Sequence, residues 1–194
     1  MTDLQQGGNA PVSGNNVTVT VAGNPASGVE VDVSAYLLTD AGKVRGDEDM
    51  VFYNQPSGGG GAISFTKGGG ALGTFSLDLG RMPPAITRIV FCVTIDEAVA
   101  RRQTLAQVSG ARISAGDIAF APALSQATEA AMIFGELYLR NGAWKFRAVG
   151  QGFNGGLGPL ARSFGIDVSS TIFPMCVPAS IRLCAAAASA SGKV

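Results

Sequence analysis

Asn141-Gly142 is the strongest two-residue turn signal in the chain, because a type I′ turn needs both central residues at positive φ and few ordinary pairs tolerate this as well. Apolar runs flank it on both sides, so residues 128–156 specify a β-hairpin together with its register. Counting outward pairs Arg140 with Ala143, Leu139 with Trp144, Tyr138 with Lys145, Leu137 with Phe146, and Glu136 with Arg147. Leu137, Leu139, Trp144, Phe146, Gly135 and Ala148 then share the face expected to be core. Tyr138, Lys145, Glu136 and Arg147 share the other, where opposite charges meet across the strands. A slip of one residue would bury Lys145 and Arg147 and expose Trp144 and Phe146, a difference on the order of several kcal/mol.

The rest of the chain is written in the same style. Glycine occurs 27 times among 194 residues and separates short alternating segments. Strands are expected at 17–21, 29–38, 50–53, 62–66, 74–79 and 86–95, with two more between 111 and 120 bent at Ala115-Gly116. Short helices are expected at 97–102, N-capped by Asp96, and at 159–164, opened by Pro159 and stopped by Gly165. Residues 150–156 read as a glycine-rich loop. Residues 172–183 are apolar, but Pro174 and Pro178 confine them to an edge strand or a docked segment. The fold class expected is mainly β, an antiparallel β-sandwich with a few short helices. A single domain over residues 1–184 is followed by an alanine- and serine-rich tail, 185–194.

Charge and histidine content narrow the chemistry. Fourteen basic residues balance fourteen acidic ones, which leaves no electrostatic footprint for nucleic acid. Histidine is absent, which removes catalytic triads with an imidazole base and the usual ligand of zinc and copper. Cys92, Cys176 and Cys184 are odd in number and lie in apolar runs, as reduced thiols of a cytoplasmic protein do. No leader is apparent in the first residues, and no apolar run reaches the roughly 18 residues a membrane span requires.

Carboxylates are the remaining candidates. Glu30 and Asp32 alternate along one strand, so their side chains project from one face about 7 Å apart, as oxygen ligands of a hard cation would. Asp47, Glu48 and Asp49 follow a turn, and Asn54 lies beyond the next strand. Asp47 and Asp49 are expected on one face, and these six residues are the candidate metal ligands. A solvated polar edge explains the same spacing. Asp96 and Glu97 could serve as an acid and base pair, although helix capping accounts for them more simply. The glycine runs 58–61 and 68–70 lack the Lys-Ser/Thr ending and the following helix of a phosphate loop, so they read as a flexible hairpin.

Several stretches together carry a family resemblance. They are GGNAPV near the start, VDVSAYLL at 31–38, GKVRGDEDMVFYNQ at 42–55, IVFCVTIDEAVARRQTLAQVSGARI at 89–113, and TEAAMIFGELYLRNGAWKFRAVGQGFNGGL at 128–157. In this order and spacing they resemble the bacterial tellurium-resistance TerD family, also described as calcium-dependent stress proteins. The resemblance implies a β-sandwich, a role in stress response and tellurite resistance, no enzymatic reaction, and calcium held by clustered acids. Asp32, Glu30, Asp47 and Asp49 would match acidic positions of the family. The acidic loop that follows Phe-Tyr-Asn in the family is replaced here by residues 58–73, whose only charge is Lys67.

Two functions follow as expectations. One is a cytoplasmic stress-response binding protein with a single weakened calcium site at the acidic edge, working with other proteins of a stress-response system. The other is a metal-independent interaction scaffold whose glycine-rich loop binds a protein partner or a second copy. The sequence leaves the oligomeric state open.

Overall fold

A computed structural model describes residues 1–166. The strands are β1 (Thr2–Leu4), β2 (Asn9–Pro11), β3 (Asn16–Pro25), β4 (Val31–Leu38), β5 (Met50–Val51), β6 (Ser57–Gly58) and β7 (Ile63–Gly68). They continue with β8 (Ala71–Asp78), β9 (Arg88–Ile95), β10 (Val108–Ala115), β11 (Ile118–Phe120), β12 (Ala131–Arg140) and β13 (Ala143–Phe153). Two short α-helices, α1 (Ala98–Arg101) and α2 (Leu157–Ser163), and three 3-10 turns complete the regular structure of the described residues. Sheet A has the order β1-β11-β10-β3-β8-β7-β6 and sheet B the order β2-β13-β12-β9-β4-β5. All pairings are antiparallel except that of β1 with β11.

The main core lies between the two sheets, which makes the molecule a β-sandwich. Alternation produces it. Val17, Val19 and Val21 of β3 point inward, as do Val31, Val33, Ala35 and Leu37 of β4 and Ile89, Phe91, Val93 and Ile95 of β9. Phe75 joins the layers, with its ring centroid 5.0 Å from Phe65 in sheet A and 5.2 Å from Phe91 in sheet B.

The anchoring hairpin has the register read from the sequence, from Arg140 opposite Ala143 to Glu136 opposite Arg147. Its turn residues Asn141 and Gly142 have φ of 53° and 74°, as type I′ demands. The core face holds Leu137, Phe146 and Ala148 fully buried, while Leu139 near the turn is 38% exposed. Past Gly135 the strict alternation fails. Phe134 is an extra residue against β9, so Met132 and Phe134 enter the main core where simple counting would have sent Ala131 and Ile133. In β13 the extra residues face the same point, where Gly150 adopts φ 65°. Bulges of this kind flip every later side chain to the opposite face.

That flip serves a second apolar layer on the outer face of sheet B. Tyr36, Leu38, Cys92, Ala131 and Ile133 lie there beneath Leu160, Ala161 and Phe164 of the α2 segment. The Tyr36 and Phe164 rings are 4.8 Å apart. From Ser34 onward the even positions of β4 are therefore covered, not solvated, and Ser34 is 2% exposed, whereas Asp32 stays partly open.

Three sequence expectations change. Residues 150–156 do not form a loop throughout, since β13 runs to Phe153. The strand at 50–53 stops at Val51, because Phe52 and Gln55 hydrogen-bond to each other across a tight turn. Asp96 does not cap α1. Glu97 precedes that helix in the left-handed conformation, φ 49°, and no side chain caps its N-terminus. The first residues are structured as well. β1 joins sheet A and β2 joins sheet B, so the first eleven residues bridge the two layers. Cys176, Cys184, the 172–183 segment, the tail and the domain limit at 184 lie outside the described residues.

Candidate functional site

The end of β9 and the start of β4 bring acids together. Asp32 pairs with Thr94 across the two strands, and the Asp96 N–H donates to the Glu30 carbonyl at 3.0 Å. The chain then reverses at Glu97 into α1. Here Asp32, Thr94, Asp96 and Glu97 line one side of a cleft of about 400 Å³. Ala98, Val99 and Ala100 of α1 and the glycines Gly155, Gly156 and Gly158 line the remainder. Val99 is 76% exposed at its rim.

The electrostatics follow from crowding. Burial pushes the Asp32 carboxyl above its ordinary range, Lys67 opposes that shift, and Glu30 adds to it. Asp96 is also raised, first by burial and then by the charges of Asp32 and Glu97. Burial raises the Cys92 thiol well above its usual value, which leaves little thiolate for reaction.

Two cations answer these acids. The Arg101 guanidinium lies 2.7 Å from Glu97 and 3.5 Å from Glu30. Lys67, the sole charge of the glycine-rich stretch, reaches from the β7 end of its hairpin to within 3.5 Å of Asp32. Its ammonium also stands 5.5 Å from the centre of the Tyr53 ring. Tyr53 thereby helps to set the position of Lys67.

Asp47, Glu48 and Asp49 form a separate group. They make a single 3-10 turn, not a strand face, so Asp47 and Glu48 are exposed whereas Asp49 turns inward and is fully buried. Asp49 accepts from the Arg45 backbone N–H at 2.9 Å and from its guanidinium at 2.6 Å and 2.8 Å. The Gln55 amide donates to the carbonyls of Asp47 and Met50, which fixes the turn. Asn54 is exposed. Met50 pairs with Tyr36, four residues along β4 from Asp32, so about 13 Å of strand separates the two acidic groups.

The six candidate ligands are thus split between two places. Among the described residues, no three of His, Cys, Asp and Glu are grouped so as to hold a metal ion. The sequence reading missed the cations. Arg45 with Asp49 and Glu97 with Arg101 stand at a spacing of four, which is a readable signal, but nothing local directs Lys67 to Asp32.

Comparison with known proteins places this geometry in context. The TerD domain family model matches residues 1–164. The tellurium resistance protein TerD of Serratia marcescens is 42% identical over 153 residues, covering 72% of this chain and 80% of that protein. General stress protein 16U of Bacillus subtilis is 36% identical over 152 residues, covering 72% and 79%. A solved homologue of telluride resistance protein from Streptomyces coelicolor A3(2) has the same fold, with a TM-score of 0.64 at 20% identity over 80% of this chain and 99% of that one.

Proposed function

The chain belongs to the TerD domain family, and from that premise we propose that it is a cytoplasmic, non-enzymatic stress-response protein of the tellurium-resistance type that works by docking other proteins without a bound metal. The names of its relatives supply the biological setting: tellurium resistance in Serratia marcescens and general stress in Bacillus subtilis. The observation that carries the metal-free part is Lys67. An ammonium 3.5 Å from Asp32 stands where a cation would otherwise neutralise that carboxylate. Arg101 does the same for Glu30 and Glu97, and Arg45 for Asp49. Internal cations cost the fold no ion binding, so the edge keeps its shape at any calcium concentration. The glycine-rich β6–β7 edge of sheet A, neutral apart from Lys67, is the docking surface in this reading.

A second reading keeps one weak calcium ion near Asp32, Asp96, Glu97 and Glu30. The mutual repulsion that raises Asp96 favours it, because a divalent ion would relieve that repulsion.

Calorimetric titration with calcium, with melting followed in chelator and in millimolar calcium, separates the two. Ligand at 100 times Kd stabilises by about 2.7 kcal/mol, enough for a clear rise in Tm. The metal-free reading expects neither heat nor shift in the natural protein. A saturable response abolished by Asp32→Asn would replace it with the calcium reading.

A further inference from the structure

We propose that the outer face of sheet B carries a binding pocket for a small organic carboxylate, located where the α2 segment ceases to cover the sheet. The cavity measures about 470 Å³, a volume in the range of small-molecule sites. Leu38, Val90 and Phe164 contribute apolar wall. At its polar side lies Glu136, whose side chain is only 8% exposed, 3.1 Å from the Arg147 guanidinium and 3.5 Å from that of Arg88.

One guanidinium is enough to neutralise one buried carboxylate, yet two are present, so the group carries a surplus of one positive charge. Each guanidinium offers five N–H donors, and the Glu136 pairing engages one nitrogen of each. Among the described residues neither guanidinium has another hydrogen bond or ion pair. Arg147 is also held in place by lying 4.6 Å from the centre of the Tyr138 ring. Glu136 therefore orients two arginines whose remaining donors are matched to a carboxylate. The surplus of one charge selects a monoanion, and the apolar wall selects an organic body for it to carry. This site shares no residue with the acidic edge and stands independently of the stress-response reading.

The test titrates the full chain with benzoate, using benzyl alcohol as the neutral counterpart and phenyl phosphate as the dianion, by calorimetry and by NMR shift mapping. Saturable one-to-one binding of benzoate is expected, about tenfold or more tighter than benzyl alcohol, with shifts confined to residues around Glu136. Arg147→Gln should weaken benzoate by about tenfold. Gln151→Glu serves as the second variant, because Gln151 is an exposed lining position where a new negative charge repels the ligand while the Glu136 pairs stay intact. It too should weaken binding severalfold. No saturable benzoate response, equal binding of benzyl alcohol, tighter binding of phenyl phosphate, or unchanged affinity in Gln151→Glu would each overturn the proposal.

Discussion

At the scale of single residues, the acidic groups behave differently according to what their neighbours supply. Asp49 is fully buried and depends on Arg45, which is itself partly in water. Removing the cation strands a buried charge, whereas neutralising the acid strands nothing but an exposed guanidinium. Arg45→Ala should therefore cost about 3 kcal/mol and Asp49→Asn about 1–2 kcal/mol, read from urea midpoints; the reverse order would show that the pair is not what holds the turn. Asp96 carries the opposite kind of strain. Its folded pKa lies above the unfolded one, so between the two values the native state binds more protons, and stability falls as pH rises from about 4 through the folded pKa. Asp96→Asn should raise the urea midpoint at pH 7, with the gain shrinking toward zero near pH 4. A gain that persisted at pH 4 would assign the effect to something other than charge. Of the six candidate ligands singled out in the sequence, Glu30 and Asp32 do lie beside one another. Spacing along one strand could not show that Lys67 would arrive from the other sheet, since that contact depends on how the two layers stack.

At the scale of elements, the β12–β13 hairpin was legible because everything that sets it is local: the turn pair, the alternation and the cross-strand charges. Its legibility stopped at Phe134, where a bulge reverses the phase, and a bulge has no signature in alternation except the failure of alternation itself. The same limit explains β4, whose polar-looking face is covered by α2, an element more than a hundred residues away. Helix α1 was read correctly but its cap was not, because acids followed by bases suit both a capped helix and an ion-paired turn, and here Glu97 gives its carboxylate to Arg101. Gly135 tests the packing of the hairpin. A Cβ built there would stand 2.5 Å from the Phe146 ring and 3.1 Å from the Arg147 carbonyl, so the aromatic ring fills the space left by the missing side chain. Gly135→Ala should destabilise by about 2 kcal/mol even though alanine is better suited to a strand than glycine. Denaturation of Gly135→Ala beside Phe146→Leu and the double variant gives the check, since relief in the double variant is expected only if the two groups share one space.

At the scale of the whole molecule, the first eleven residues add an edge strand to each of the two sheets and tie them together at one end. β1 adds to sheet A beside β11, and five residues later β2 adds to sheet B beside β13. Gly7 and Gly8 between them bond to Ala148, with the Gly7 N–H donating to its carbonyl at 2.8 Å and the Ala148 N–H donating to the Gly8 carbonyl at 2.9 Å. Leu4, Ala10 and Val12 pack against the main core. Neither strand has the length or alternation to be found in a sequence, because each is three residues long and is made by the edge it joins. Removing residues 1–11 should therefore have two consequences of different physical origin. Loss of half-buried apolar surface should lower stability by about 2–4 kcal/mol, which for a chain of this size is a fall in Tm of roughly 10 °C. Exposure of β11 and β13 as bare edges should also make the shortened chain associate at concentrations where the full chain does not, since unpaired N–H and C=O groups recruit another strand. Melting and light scattering measured together decide the matter. A lower Tm without association would mean that the two strands matter for their packing alone, whereas an unchanged Tm would mean that the sheets hold each other through the core and need no bridge at this end.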